Sequence, residues 1–70
     1  MDEVQDVLDG MKEAAKVYLA QTNGNVEHAI VVARRDYRRR FRRYAPQVVE
    51  RSIELQIKVI RYVAATQKGD

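Results

Sequence analysis

The stretch Thr22-Asn23-Gly24-Asn25-Val26 divides the first half of the chain into two helices. Asparagine and glycine tolerate the left-handed backbone conformation that ends many helices, so Asn23 or Gly24 is expected to stop the preceding helix. Asn25 can then cap the next helix, because its side chain accepts a hydrogen bond from a free backbone amide of the first turn. The stretch therefore predicts a tight helical hairpin.

The residues before this hairpin carry the pattern of an amphipathic helix. Apolar residues recur at three- and four-residue spacing, and acids occupy the first turn, where the helix dipole favours them. The apolar positions are Val4, Leu8, Met11, Ala15, Tyr18 and Leu19. We therefore expect a first helix at about residues 2–21.

A second apolar line follows Asn25. At 100° per residue its members stay on one side of a helix. They are Val26, Ala29, Ile30, Ala33, Tyr37, Phe41, Tyr44 and Val48. The line predicts a helix at about residues 25–44.

Two valines lie off this line and leave an alternative open. Val31 and Val32 would lie on the otherwise polar side of a single helix. Either they contact another surface, or the chain turns between Ala33 and Asp36. In the second case residues 26–44 would form two helices.

The dipeptide Ala45-Pro46 predicts the next boundary, since proline disfavours helical geometry before it and suits the first turn after it. A third helix is expected at about residues 46–66, and apolar side chains cover most of its circumference. One side can cover the first two helices, and the other needs a further partner. The sequence therefore predicts a homodimer through this helix, with interface residues Val49, Ile53, Ile57, Ile60 and Ala64.

Length and composition limit the possible classes of protein. The 70 residues (1–70) predict a single all-α, helix-turn-helix-like domain, near the size where dimerisation often supplies missing burial. The absence of cysteine and the lone His28 exclude a disulfide framework and cysteine- or histidine-rich metal sites, so we expect no metal and no cofactor. The acidic N-terminus and the absence of a long apolar run predict a cytoplasmic protein without a membrane segment.

Charge is strongly segregated along the chain, although the net charge is only +3. Residues 1–33 carry six acids against two lysines, and residues 34–46 carry seven arginines against Asp36. A concentrated positive patch attracts polyanions whatever fold lies beneath it. The asymmetry therefore indicates an anionic partner.

The arginine-rich segment 34–44 is the candidate binding site. A solvated charged face is the ordinary interpretation of a mixed-charge helix, but this run is almost purely arginine, which favours bidentate contacts to phosphate or guanine. The predicted nucleic-acid contacts are Arg34, Arg35, Arg38, Arg39, Arg42 and Arg43. Arg40 lies nearer the apolar line, and we expect it either to extend its charged end past the apolar side chains to water or to pair with a carboxylate such as Glu50 or Glu54 across the dimer.

The aromatic residues of the same segment have two interpretations. Tyr37, Phe41 and Tyr44 lie on the apolar line, which favours packing in the core over stacking on bases. His28 lies on the polar side and is expected to be a surface residue. No pattern indicates catalysis, since paired carboxylates, an activated serine and a phosphate-binding glycine loop are all missing from the sequence. We therefore expect no enzyme and no small-molecule substrate.

Two segments, Thr22 to Ala29 and Tyr37 to Tyr44, resemble the Fis-type helix-turn-helix family. That family pairs a Gly-Asn capped helix with a basic recognition helix. Its recognition helix has apolar residues at the spacing of Tyr37, Phe41 and Tyr44, separated by basic residues that contact the major groove and phosphates. The resemblance covers about a third of the chain and implies duplex DNA as the partner.

A second resemblance involves Gly10-Met11, Ala15, Leu19 and the segment from Thr22 to Ile30. These residues are similar to the ubiquitin-associated-like three-helix fold, including the version in elongation factor Ts, which implies a protein-binding module. From the arginine segment we predict a small dimeric DNA-binding protein, a transcriptional or architectural regulator. The alternative is a protein–protein adaptor or an RNA-binding module that uses the same basic helix.

Overall fold

The structure is a computed structural model that describes residues 3–68. It contains three helices, α1 (Glu3–Gln21), α2 (Val26–Arg40) and α3 (Pro46–Lys68), and no strand within the described residues. The predicted all-α, three-helix fold is therefore confirmed, while the predicted start at Asp2 lies outside those residues. None of the three helices is long and apolar enough to cross a membrane.

The turn between α1 and α2 is closed as its sequence predicts. Asn23 and Gly24 both adopt positive φ angles, of 56° and 79°. The amide of Gly24 donates to the carbonyl oxygen of Leu19 at 2.7 Å, and that of Asn23 donates to Ala20 at 3.3 Å, which is the Schellman pattern of a helix end. The Asn25 side chain then accepts from the backbone amide of His28 at 3.0 Å and caps α2.

The second helix is continuous through Ala33 and Asp36, so the alternative of a turn between them is wrong. Val32 is half-buried and packs against the core, whereas Val31 stays 43 % exposed. The two valines therefore do not need a break in the helix. Val32 is covered by other side chains of the same protein, and Val31 remains on the surface.

The end of α2 differs from the prediction, since the helix stops at Arg40 and not near Tyr44. The reason is the reversal of the chain, because α3 returns antiparallel beside α2. A helix continued to residue 44 would leave only Ala45 to make this reversal before Pro46. Residues 41–44 form turns instead, with the amide of Tyr44 donating to Phe41 at 3.0 Å.

The core lies where the three helices meet. Burial of its apolar side chains is the main favourable term for a fold of this size. Its buried members are Ala15, Tyr18, Leu19, Ala29, Ile30, Ala33, Tyr37, Val49, Ile53, Val59, Ile60, Val63 and Ala64. The third helix contacts both others and so divides its wide apolar face between two neighbours of its own chain.

One polar side chain, Gln56, is completely buried among these residues. Its Oε1 accepts from the Tyr37 hydroxyl at 2.9 Å, and its Nε2 donates to the carbonyl oxygen of Met11 at 3.1 Å. A buried amide without partners would be costly, but both ends of this one are bonded. Gln56 therefore connects α3 to α2 and to α1.

We expect Asn25→Ala to lower the free energy of unfolding by about 1 kcal/mol, because it removes the cap of α2. For a domain of this size that loss corresponds to a fall in Tm of roughly 4–8 °C. Thermal unfolding followed by circular dichroism measures it. Asn25→Ser, which keeps a capping oxygen, should stay close to the natural chain, and an equal loss in both variants would contradict the capping role.

We expect Gln56→Leu to lower the free energy of unfolding by about 1–3 kcal/mol, because the buried Tyr37 hydroxyl loses its acceptor. Adding Tyr37→Phe removes that hydroxyl, so the double variant should be at least as stable as Gln56→Leu alone. Urea unfolding of both single variants and the double variant gives the coupling between the two residues. Strictly additive losses would show that the hydrogen bond does not couple them.

Candidate nucleic-acid interface

The predicted contact residues lie on the surface in two groups. Four of them project from α2, namely Arg34, Arg35, Arg38 and Arg39. The other two, Arg42 and Arg43, project from the turn after it, and all six are exposed. The expectation that one helix carries the whole segment is therefore wrong for the last two. We call these six residues the arginine surface. Its cations at the end of α2 also suit the negative end of the helix dipole.

Three of the four ion pairs within residues 3–68 involve arginine, and two of these neutralise part of the charge of segment 34–44. Arg38 reaches across to α3, where its Nε and Nη2 donate to Glu50 Oε1 at 3.2 and 2.8 Å. Arg61 on α3 lies 3.8 Å from Glu27 near the start of α2. The two pairs show that α2 and α3 run antiparallel. Exposed pairs of this kind contribute roughly 0–1 kcal/mol each, so their main effect is on charge and register.

The third pair joins Arg40 to Asp36 on the same helix, with Nη2 and Oδ2 2.9 Å apart. Arg40 therefore has a carboxylate partner within its own helix. Pairing with Glu50 or Glu54 across a dimer stays a prediction, and within the chain Glu50 is bound by Arg38. The i, i+4 spacing of Asp36 and Arg40 explains the preference, since it needs no contact between helices.

Asp36 is also held from α1, because the Tyr18 hydroxyl donates to its Oδ2 at 2.6 Å. Burial raises the pKa of Tyr18 above its usual value, and the hydrogen bond to Asp36 raises it further. Burial likewise raises the pKa of Tyr37. The single acid of the arginine-rich segment is thus fixed between a tyrosine and an arginine, on the side of α2 that faces α1.

The other arginines of the segment have no such partner. Within residues 3–68, no carboxylate pairs with Arg34, Arg35, Arg39, Arg42 or Arg43. Like charges three and four residues apart on a helix repel by a few tenths of a kcal/mol per pair. An anionic ligand would relieve that repulsion, and the arrangement therefore suits a polyanion.

The three aromatic residues of the segment have different environments. Tyr37 is buried, as its place on the apolar line predicts, and Phe41 is half-buried. Tyr44 is 62 % exposed, so the expectation that it packs in the core is wrong. The helical line ends at Arg40, and the turn that follows carries the Tyr44 ring to the surface.

The residues predicted to form a dimer interface lie mainly inside the single chain. Val49, Ile53, Ile60 and Ala64 are buried in its core, and Ile57 is half-buried against it. A second chain cannot reach these four buried side chains while the three helices remain packed. Homodimerisation stays a prediction, and it would need other residues of the surface.

Residues 3–68 contain no cluster of side chains suited to a metal ion. No group of three or more histidine, cysteine, aspartate or glutamate side chains is close enough to hold a metal ion there. His28 lies exposed in the first turn of α2. The arginine surface is therefore the feature of this region from which a function can be argued.

Comparison of the chain with protein-family models, with curated proteins and with solved structures gives no match in any of the three. The Fis-type and ubiquitin-associated-like resemblances neither gain nor lose support from this result. The candidate function rests on the charge and geometry of the arginine surface.

We expect the free energy of unfolding to fall as the pH rises above about 10, where tyrosines of the unfolded chain ionise. Tyr18 and Tyr37 resist ionisation in the folded protein because their pKa values are raised. The unfolded chain then holds fewer protons, and each tyrosine can contribute at most about 1.4 kcal/mol per pH unit. Urea unfolding between pH 8 and 11 measures this decline, which should be shallower in Tyr18→Phe than in the natural chain. An equal slope in the two proteins would contradict the assignment of the decline to Tyr18.

Proposed function

We propose that this protein binds nucleic acid through the arginine surface, in the manner of a small regulatory or architectural protein. The observation that carries the proposal is the set of exposed arginines that have no carboxylate partner within residues 3–68, namely Arg34, Arg35, Arg39, Arg42 and Arg43. Arginine binds phosphate through a planar fork of donors and is weakly hydrated, so it is suited to this contact.

The pairing of the remaining arginines supports the same proposal. Arg38 pairs with Glu50, and Arg40 pairs with Asp36. These two arginines therefore contribute to the fold as well as to the charge of the surface. The unpaired residues run from the middle of α2 into the turn at 41–44, and all of them are exposed. A phosphate backbone that follows this segment would contact several guanidinium groups at once. Duplex DNA, which the Fis-type resemblance implies, is the first ligand to test.

We expect binding of a fluorescein-labelled duplex to weaken steeply with salt, with a slope of log K against log salt near −0.9 per phosphate contacted. Arg42→Gln/Arg43→Gln should make that slope shallower by roughly 2, because each lost arginine releases about one phosphate contact. Fluorescence anisotropy at several salt concentrations measures both. These two residues lie outside the helices, so the variant should fold normally.

A matched control is available on α3, where Arg51 and Lys58 are exposed and have no carboxylate partner within residues 3–68. Arg51→Gln/Lys58→Gln removes the same charge from another surface and should change the slope much less. Equal effects of the two double variants would show that net charge, and not the arginine surface, governs binding. No salt-dependent binding to duplex, single-stranded DNA or RNA would reject the proposal and favour an acidic protein partner.

A further inference from the structure

The ring of Tyr44 is placed so that another flat ring can stack on it. It follows Arg42 and Arg43 in the turn and is 62 % exposed. Its only aromatic neighbour within residues 3–68 is Phe41, with ring centroids 5.7 Å apart and planes inclined at 72°. A perpendicular contact of this kind occupies at most one face of either ring. At least one face of Tyr44 is therefore left uncovered by Phe41.

The position of Tyr44 is fixed by a chain of contacts that begins in the core. The Tyr37 hydroxyl donates to the buried Gln56, and the Tyr37 ring meets Phe41 at 5.5 Å and 67°. Phe41 in turn meets Tyr44, whose backbone amide donates to the Phe41 carbonyl. An aromatic platform held in this way loses little conformational entropy when a ligand stacks on it.

A groove of about 450 Å³ opens beside this ring, between the first half of α1 and the turn that leads into α3. Its walls are mostly apolar, with Val7, Phe41 and Val48 beside Tyr44, while Arg40 supplies a cation. The volume lies within the range of sites that bind small organic groups, which are also apolar with a few polar contacts. The groove therefore has the size and chemistry to receive a flat aromatic group.

Gly10 lies on the wall of this groove, beside open space. It lies in the middle of α1, where glycine costs about 1 kcal/mol relative to alanine. A Cβ atom added at Gly10 would meet nothing within 4 Å. The space beside the glycine is thus unfilled, although the helix would be more stable with a larger residue.

We infer that the groove beside Tyr44 receives an unpaired nucleobase, which stacks on the tyrosine while Arg42 and Arg43 hold the adjoining phosphates. The positive charge near Tyr44 favours a nucleotide over an apolar peptide as the occupant of the groove. Arg42 and Arg43 precede Tyr44 in the turn and have no carboxylate partner within residues 3–68. An apolar peptide would leave these two arginines unpaired, whereas a nucleotide supplies an aromatic base and an anion together. The inference rests on the proposed function and specifies its ligand as a nucleic acid with at least one unstacked base.

The test compares a labelled twelve-nucleotide DNA strand, its fully paired duplex, and that duplex with one unpaired nucleotide. At fixed salt, the strand and the bulged duplex should bind more tightly than the paired duplex. Tyr44→Ala should weaken binding of these two ligands by roughly 5- to 150-fold, the range expected for loss of one stacked base. Tyr44→Phe should retain tight binding, because it keeps the ring.

Two further variants separate stacking in the groove from other effects. Tyr62→Ala is the matched control, since Tyr62 is also an exposed tyrosine, 58 % accessible, but lies on α3 away from the arginine surface. It should bind all three ligands as the natural chain does. Gly10→Leu adds a large side chain to the wall of the groove without removing any arginine, favours the helix, and should weaken binding of the unpaired-base ligands.

The outcomes distinguish this inference from the function on which it rests. Salt-dependent binding that Tyr44→Ala leaves unchanged would overturn the base site and leave phosphate binding by the arginine surface standing. Normal binding by Gly10→Leu would overturn the groove as the place of the base. Absence of binding to every nucleic acid would reject both proposals.

Discussion

The amide of Gln56 forms the hydrogen bonds on which the arrangement of the three helices depends. It is fully buried, it donates to the Met11 carbonyl of α1, and it accepts from the Tyr37 hydroxyl of α2. Apolar contacts alone would allow the helices to slide with little change in buried area, whereas these two bonds can form in only one register. Tyr37 also contacts Phe41 edge to face, and Phe41 contacts Tyr44 in the same way, so a series of contacts leads from the buried amide to an exposed ring.

The second constraint is the repulsion among the arginines, which the fold relieves only in part. Carboxylates are placed where they also hold the structure together, Glu50 on α3 and Asp36 beneath the Tyr18 hydroxyl. Arg34, Arg35 and Arg39 on α2 and Arg42 and Arg43 in the turn receive none within the described part of the chain. This division separates arginines that join elements from arginines that remain available to an anion.

The sequence predicts the helices well where a local signal determines them. Asn23, Gly24 and Asn25 define a helix end and a cap through their own backbone preferences, and Pro46 begins α3 as expected. The end of α2 could not be predicted in this way, because the apolar line continues to Tyr44 and the stop is imposed by the return of α3. Such a stop depends on residues far along the chain.

The burial of side chains on α3 is a second feature that local sequence signals cannot predict fully. Periodicity identifies Ile53 and Ile60 as buried, but it cannot tell whether a helix of the same chain or a second chain covers them. Gln56 gives no signal in the sequence, since a single glutamine on a helix is usually exposed and only its partners justify its burial. Of the candidate site, the arginines were predicted, whereas the ion pairs and the exposure of Tyr44 required the fold.

The break after Arg40 also decides the shape that a ligand meets. An unbroken helix would present its cations along one line, but α2 ends at Arg40, so Arg42 and Arg43 do not continue the line of the α2 arginines. Duplex DNA has a persistence length of about 150 base pairs and behaves as a rod over the width of so small a protein. A flexible strand, in contrast, can change direction where the chain does and contact both groups of arginines.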